Sequence, residues 1–364
     1  MKPIIIAITI VLWIGTVPSI ANENDEFKEF VEQQNQQFQS YMDEQERDYE
    51  KYKADIVAKW NEFKGSTKKE WMDYSSDKET RSHVDFEEGA VYIEVLVPVK
   101  EKEPKKIAEN KIKKQLERIV SNNWPTQKNP LADQIIVKKD EPLSKKNIEQ
   151  FVEKKVQPEI RVEKETIKPK DQIERRKVTV KFDMVPNHIK IRAKEYEPFV
   201  VKYCQEYKLD PAIIFGIIHT ESFFNPMARS HIPAFGLMQL VPKSGGRDAY
   251  RHVFGKDKVP SSNFLYNPEN NIRLGIGYID LTKNVYFSGV KNDVVGYLIT
   301  VASYNTGPGN VSKAFTGKTR LKPAIQKIST MNPEQVHKIL INKLPYKETQ
   351  DYVQRVFTRS KLYR

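Results

Sequence analysis

The sequence predicts an α+β protein of two parts, a small α+β domain followed by a mainly α-helical domain. The chain has 364 residues, of which 39% are hydrophobic, and this is enough for two ordinary cores. Short runs of β-type residues occur before Pro186, whereas apolar residues after it recur at helical spacing. Because Pro186 also interrupts the last strand pattern, we place the boundary there and expect domains over residues 22–185 and 186–364.

The first 21 residues have the pattern of a secretory signal peptide. Met1 and Lys2 precede the apolar run Ile4–Val17, and small residues occupy positions 19 and 21, which a signal peptidase recognises. The run is shorter than the roughly 20 residues that a membrane-spanning helix prefers. We therefore expect cleavage after Ala21 and export to the periplasm, with a retained signal anchor as the alternative.

The chain is basic, with 60 Lys and Arg residues against 48 Asp and Glu residues. An exported basic protein suits an acidic polymer or a membrane surface. The sequence has no zinc-ligand spacing, no phosphate-binding glycine loop and no basic helix interleaved with aromatic residues, so we expect no metal, no cofactor and no nucleic-acid partner. The one cysteine, Cys204, is predicted to be a small core residue. Because no cysteine lies near the predicted cleavage site, we expect no lipid anchor.

Five segments define the first domain. Phe27–Phe63 has apolar residues mostly three, four or seven apart and predicts a long amphipathic helix. Val84–Val97 contains two β-rich runs separated by a glycine, which predicts a hairpin. Ile107–Val120 returns to helical spacing, and Lys177–Met184 alternates as a strand. A further short strand is expected at Ile135–Val137.

In the second domain, Asp210 followed by Pro211 predicts a helix start. An Asp side chain can accept from free backbone amides there, and proline is tolerated at the first helical position. Asn225 and Pro226 are expected to end this helix. Helical faces are also predicted for Tyr196, Phe199, Val200, Tyr203, Cys204 and Tyr207, for Ile272, Ile276 and Ile279, and for Val295, Leu298, Ile299, Ala302 and Ser303.

Glu221 is the candidate catalytic residue. It follows Ile217 by four residues and Ile218 by three, so its carboxyl group continues an apolar helix face. A carboxyl group that loses water there has a raised pKa, as a general acid near neutral pH requires. The alternative is a helix-end glutamate paired with Arg229 or with a backbone amide.

Three short motifs follow one another in the second half of the chain: Glu-Ser at 221–222, Gly-Leu-Met-Gln at 236–239 and Tyr-Asn at 304–305. In this order they resemble the lytic transglycosylases of the soluble lytic type. The blocks Thr80–Phe86 and Met184–His188 resemble the membrane-bound lytic murein transglycosylase C family. That resemblance implies a lysozyme-like catalytic domain behind an α+β accessory domain.

The resemblance also implies a reaction. Most glycosidases use two carboxylates, but the sequence offers one in a convincing motif. In a lytic transglycosylase of peptidoglycan, the C6 hydroxyl of N-acetylmuramic acid attacks its own anomeric carbon, aided by the acetamido group. Glu221 would act first as acid and then as base, and the product would carry a 1,6-anhydromuramoyl end.

Further site residues are implied by the same resemblance, each with a structural alternative. Tyr304 would hydrogen-bond the catalytic carboxylate, or be a buried aromatic residue with a satisfied hydroxyl. Ser230 would lie near the substrate acetamido group, or be a turn residue. Gln239 would bind a sugar in the cleft, or bond to the backbone. Met238 would line the cleft, or be ordinary core.

Asn305 and Glu348 complete the predicted substrate-binding set. Asn305 is expected to act more as a cap than as a sugar contact, and Glu348 lies in a C-terminal block, Pro345–Val353, that resembles the family's cleft. Two other functions stay open: a hydrolytic muramidase in which water attacks, and a non-catalytic peptidoglycan-binding scaffold. The expected partner is the glycan strand of peptidoglycan, and peripheral association with the outer membrane or with cell-wall proteins is left open, as is the oligomeric state.

Overall fold

The computed structural model describes residues 47–121, 129 and 131–364. The chain divides into two units, residues 1–58 and 59–364. Residues 47–60 are helical (α1), which confirms that part of the predicted amphipathic helix. The predicted signal peptide and residues 27–46 lie outside the described residues. Among the described helices, none combines the length and the apolar character needed to cross a bilayer.

The strands among the described residues of the second unit are β1 (Glu70–Tyr74), β2 (Thr80–Asp85), β3 (Ala90–Pro98), β4 (Ile136–Lys138), β5 (Glu141–Pro142), β6 (Arg161–Ile167) and β7 (Arg175–Asp183). One antiparallel sheet has the strand order β1-β2-β3-β7-β6. A separate two-stranded sheet pairs β4 with β5.

The predicted hairpin is formed by β2 and β3. Gly89 lies at its turn with φ +73°, a conformation that glycine adopts without steric cost. Across the sheet Val84 is paired with Val91, and Val91 with Phe182, so this face is apolar. The face packs against α2 (Pro104–Val120), the predicted helix, which proline starts three residues early. The strand predictions at 135–137 and 177–184 are confirmed by β4 and β7.

The remainder of the unit is helical. The α-helices are α3 (Ile148–Phe151), α4 (His188–Tyr207), α5 (Pro211–Ser222), α6 (Arg247–Phe254), α7 (Ser262–Tyr266), α8 (Pro268–Asp280), α9 (Asp293–Thr306), α10 (Pro308–Thr316), α11 (Leu321–Ile328), α12 (Pro333–Lys343) and α13 (Lys347–Ser360). Short π-helical turns occupy Val152–Val156, Pro242–Gly246 and Leu281–Tyr286, and 3₁₀ turns occupy Gln157–Glu159 and Lys361–Tyr363. The predicted fold class, an α+β domain followed by a mainly helical domain, is confirmed.

Helix α5 is the centre of the helical core. Asp210 caps it as predicted, since its carboxylate accepts from Ala212 N at 2.9 Å. The helix ends before Asn225, because Phe223 and Phe224 adopt left-handed backbone conformations with φ +51° and +60°. Ten of its twelve residues are buried, so it is apolar on nearly every side instead of on one stripe. Cys204, also predicted to be core, is buried in the same cluster.

The sheet core and the helical core meet at Arg192 of α4. Its guanidinium donates to Phe86 O at 2.8 Å, to Phe223 O at 3.0 Å and to Gln134 Oε1. Phe223 follows α5 and packs in the sheet core. Burial lowers the pKa of Arg192 to about 10, which leaves it charged at neutral pH. A domain boundary at Pro186 stays a prediction.

Replacing Arg192 by methionine tests this junction. The variant leaves two buried carbonyl oxygens without their donor, so we expect the free energy of unfolding to fall by about 2–4 kcal/mol. Urea denaturation followed by circular dichroism measures the change. Lys194→Met on the exposed face of the same helix is the control. Equal stability of the two variants would show that Arg192 does not hold the cores together.

Candidate functional site

The Glu221 carboxyl group lies at the C-terminal end of α5 and is nearly removed from solvent. Its residue is 5% exposed. Burial raises the pKa of this carboxyl group above its ordinary value, the charge of Lys68 and a contact with Tyr352 lower it, and the charge of Glu348 raises it again. The net direction is upward, as the sequence predicted.

The cation beside Glu221 is Lys68, whose Nζ lies 3.5 Å from Glu221 Oε2. The structure pairs Glu221 with Lys68 instead of with Arg229, the sequence-based alternative. The Arg229 guanidinium lies 5.8 Å from the centre of the Phe235 ring. Lys68 belongs to the segment before β1. Nothing local in the sequence indicates this contact, because Lys68 is one of many lysines far from Glu221 along the chain.

Tyr352 is the second side chain that faces Glu221. Its buried hydroxyl has no partner of strict hydrogen-bond geometry among the described residues, yet it lies near enough for the two groups to interact. Burial and the Glu221 charge raise the pKa of Tyr352 well above its ordinary value, so it keeps its proton. Tyr352 is placed by α13, which lies against α5 so closely that a Cβ on Gly216 would be 2.6 Å from Val356 O.

The three sequence motifs meet at the backbone of the turn at 236–239. Ser222 Oγ donates to Leu237 O at 2.7 Å, and Tyr304 Oη donates to Met238 O at 2.6 Å. Gly236 has φ +74°, and a Cβ there would be 2.4 Å from Leu265 O, so only glycine fits. The turn therefore connects the end of α5 to α9.

Asn271 of α8 holds this turn from the other side, and sequence reasoning did not select it. Its Oδ1 accepts from Met238 N at 2.8 Å. Its Nδ2 donates to Phe235 O and to Leu265 O, both at 2.8 Å. The available signal was an asparagine at helical spacing from the apolar residues Leu274 and Tyr278. The structure buries it completely.

Tyr304 does not donate to the Glu221 carboxylate, because its single hydroxyl proton goes to Met238 O. That expected hydrogen bond is corrected by the structure, although the two groups remain neighbours: burial and then the Glu221 charge raise the pKa of Tyr304 well above its ordinary value. Tyr304 holds the turn, and Tyr352 takes the place beside the carboxylate.

In this structure Gln239, Met238 and Ser230 make the contacts that the sequence analysis gave as their structural alternatives. Gln239 Nε2 donates to Ala228 O at 3.1 Å and to Gly236 O at 2.9 Å, whereas its buried Oε1 has no partner among the described residues. The Met238 side chain is fully buried in the helical core. Ser230 Oγ donates to the carbonyl of Ile232 within its own turn.

Glu348 lies in the first turn of α13, and Asn305 of α9 packs against that turn. Asn305 Oδ1 accepts from Thr349 Oγ1 at 2.6 Å, so it ties α9 to the first turn of α13. Glu348 is exposed in that first turn, and its charge reaches Glu221. Of the predicted set, the structure thus brings Glu221, Tyr304, Met238 and Glu348 together, and the Ser230 hydroxyl is used in its own turn.

Two features of the sheet domain lie apart from this site. Glu70, His83 and Asp85 form the group of possible metal ligands found among the described residues, but His83 Nε2 is 3.0 Å from Glu70 Oε1 and the Asp85 carboxylate accepts from two backbone amides. A cavity of about 800 Å³ is lined by residues of β2, β3, β6 and β7, and none of the predicted site residues lines it.

Comparison with known proteins gives two family matches. Residues 31–195 match the family described as membrane-bound lytic murein transglycosylase C, N-terminal domain, and residues 199–326 match the transglycosylase SLT domain. A solved structure of the lytic transglycosylase Slt from Pseudomonas aeruginosa, an inactive mutant, is 29% identical. It covers 46% of this chain and 23% of its own, with a TM-score of 0.34, which is too low to support an argument.

Among curated relatives, the membrane-bound lytic murein transglycosylase C of Haemophilus influenzae is 39% identical over 189 residues. The match covers 51% of this chain and 52% of that protein, so the chain spans about half the length of this relative. The protein of the same name from Actinobacillus succinogenes is 31% identical over 300 residues, 80% of each chain.

A helical domain built around a buried glutamate, with these matches, places the chain among proteins that carry a transglycosylase SLT domain. The match to the Actinobacillus succinogenes protein extends over 80% of both chains, and it identifies the particular family. The chain belongs to the membrane-bound lytic murein transglycosylase C family.

Replacing Tyr352 by phenylalanine tests the contact with Glu221. The hydroxyl favours the charged carboxylate, so its removal should raise the pKa of Glu221 further. A ¹³C NMR titration of labelled glutamate measures this, with the Glu221 resonance identified by its loss in Glu221→Gln. Tyr363→Phe, whose hydroxyl contacts His219 Nδ1 at 3.0 Å, is the control. A Glu221 titration that stays in place would argue against the contact.

Proposed function

We propose that this protein is a lytic transglycosylase that cleaves the β-1,4 bond between N-acetylmuramic acid and N-acetylglucosamine in peptidoglycan. The observation that carries the proposal is the buried Glu221 with its raised pKa, because such a carboxyl group keeps a proton to donate closer to neutral pH. Membership of the family supports the substrate class.

The reaction needs one proton that is lent and recovered. The Glu221 carboxyl group donates its proton to the glycosidic oxygen, and the bond from that oxygen to the muramic acid C1 breaks. The C6 hydroxyl of the same sugar forms the new bond to C1, with the acetamido group assisting, and its proton returns to the Glu221 carboxylate. Atoms balance without water, and the product is a 1,6-anhydromuramoyl end.

The other side chains have supporting roles in this proposal. Tyr352 keeps its proton and donates toward the carboxylate while it is charged. Tyr304, through Met238 O, holds the turn at 236–239 that forms the wall beside the acid. The buried Oε1 of Gln239, which has no partner among the described residues, would accept a hydrogen bond from a sugar hydroxyl or amide N–H. Ser230 stays a proposed contact of the acetamido group.

The rival function is a hydrolytic muramidase, and Glu348 is the observation that favours it. Two-carboxylate glycosidases use the second group to activate water or to attack the sugar. Glu348 is a second carboxylate whose charge reaches Glu221. The products separate the two functions, since hydrolysis leaves reducing ends. A scaffold that only grips glycan would release neither.

We also propose a cellular location and a domain organisation for the protein. Relatives are named membrane-bound, and residues 1–21 have the pattern of an export signal, so the cell envelope is the proposed location and a periplasmic form the specific proposal. Residues 22–185 would form an accessory domain that precedes a catalytic domain at 186–364.

Replacing Glu221 by glutamine tests the proposed function. The variant keeps the shape of the side chain but has no proton to lend, so release of anhydromuropeptides from purified peptidoglycan should fall at least 10²-fold. Mass spectrometry identifies and quantifies the products. Glu269→Gln, at a half-buried carboxylate paired with Lys202 and Tyr203, should retain activity.

The possible results separate the three functions. Undiminished turnover by Glu221→Gln would show that another group is the acid. Reducing ends in place of anhydro ends would identify a muramidase, and loss of those ends in Glu348→Gln would assign the second carboxylate. Binding without any cleavage by the unmodified protein would identify a scaffold.

A further inference from the structure

Lys68 reaches Glu221 from the sheet domain, on a turn that leads into β1. Thr67 Oγ1 accepts from the backbone N–H of Lys69 at 3.3 Å and of Glu70 at 3.1 Å. The backbone N–H of Thr67 donates to Glu70 O at 2.9 Å. Because these bonds close the turn around Lys68, the side chain starts from a fixed backbone position.

Two consecutive lysines of this turn contact the end of α5. Lys68 Nζ is 3.5 Å from Glu221 Oε2, while Lys69 Nζ lies 5.1 Å from the centre of the Phe223 ring and pairs with Glu87. The C-terminal end of a helix carries partial negative charge, which disfavours an ionised carboxylate there. A cation placed at this end has the opposite effect.

The other groups that face Glu221 come from two helices. Tyr352 and Glu348 belong to α13, and Tyr304 belongs to α9. The two tyrosines keep their protons, and Glu348 contributes a second carboxyl group. Lys68 is the cation among these four neighbours. Arg355 of α13 is exposed and acts by its charge on the Tyr352 hydroxyl, and among the described residues it makes no ion pair with Glu221.

We propose that Lys68 is a positioning residue of the site, whose ammonium group is the counter-ion of the Glu221 carboxylate between proton donation and proton recovery. This rests on the proposed function. When the proton passes to the glycosidic oxygen, a carboxylate forms in surroundings that have little water, and Lys68 supplies the missing stabilisation. Lys68 itself gains and loses no proton. The sheet domain thereby contributes a residue to the chemistry of the helical domain.

The Lys68→Met variant of the full chain gives a distinctive pH profile. Without the cation Glu221 is a weaker acid, so the maximal rate should fall several-fold. Activity is lost at alkaline pH as the acid gives up its proton, and this part of the profile is called the limb. In the variant the limb should move to higher pH, because the carboxylate is no longer favoured. The two profiles therefore cross, and at pH values above the wild-type loss of activity the variant should be several-fold faster than wild type. The initial rate of anhydromuropeptide release, measured from acid to alkaline pH, shows this.

Two further variants complete the test. Lys69→Met removes the neighbouring cation, which contacts Phe223 and Glu87 instead of Glu221, and should leave the limb in place. Lys68→Arg restores a cation and should return the limb toward wild type. A Lys68→Met enzyme that is faster at every pH would show that Lys68 obstructs the site. One that is slower at every pH with an unmoved limb would show a structural role, and either result overturns the proposal.

A readout without catalysis separates this inference from the proposed function. The ¹³C carboxyl resonance of Glu221, the one lost in Glu221→Gln, should titrate at higher pH in Lys68→Met than in wild type or Lys69→Met. If wild-type protein releases no anhydro product, the proposed function fails while this titration still tests the Lys68 contact. If Glu221→Gln abolishes cleavage and neither titration nor limb moves in Lys68→Met, the proposed function stands and the role of Lys68 is refuted.

Discussion

The loss of water around the Glu221 carboxyl group is the constraint on which the site depends. Helix α5 is apolar on nearly every side, so its last carboxyl group is held where charge is disfavoured. Because the pKa is higher in the fold than in the unfolded chain, the folded protein binds this proton more tightly, and ionisation with rising pH destabilises the fold. Lys68 and Tyr352 offset part of that cost and leave the acid able to give up its proton.

Backbone atoms join the motifs more than side chains do. Ser222 and Tyr304 both donate to carbonyls of the turn at 236–239. Asn271 accepts from Met238 N of this turn and donates to Phe235 O just before it and to Leu265 O of α7. Tyr304, which the sequence predicted to hydrogen-bond the catalytic carboxylate, therefore holds the turn beside the acid instead. This arrangement fixes Glu221 through rigid elements, which is what a precisely placed proton donor requires.

Sequence patterns predicted helices α1, α2, α4, α5, α8 and α9 and strands β2, β3, β4 and β7, because the causes of these elements are local. Strands β1 and β6 and helices α6 and α10 to α13 were not predicted. The Asp210 cap, the Gly89 turn and the alternation along β7 each depend on residues a few positions apart. Glu221 was found from its place on an apolar helix face together with the three motifs that resemble the lytic transglycosylases. Its partner was not, since Arg229 is near in sequence whereas Lys68 is near only after the two cores dock.

By itself, the sequence determined helices α2, α4, α5, α8 and α9, the hairpin, the place of Glu221 on an apolar helix face and the order of the three motifs, because spacing and turn chemistry act over short stretches of chain. Tertiary structure alone decided which hydroxyl faces the acid, which carbonyl Tyr304 takes, and that a lysine of the sheet domain reaches Glu221. The physical reason is that a hydroxyl group donates a single hydrogen bond and a buried carboxylate contacts few side chains. Which groups make these contacts depends on how α5, α9, α13 and the turn before β1 pack together.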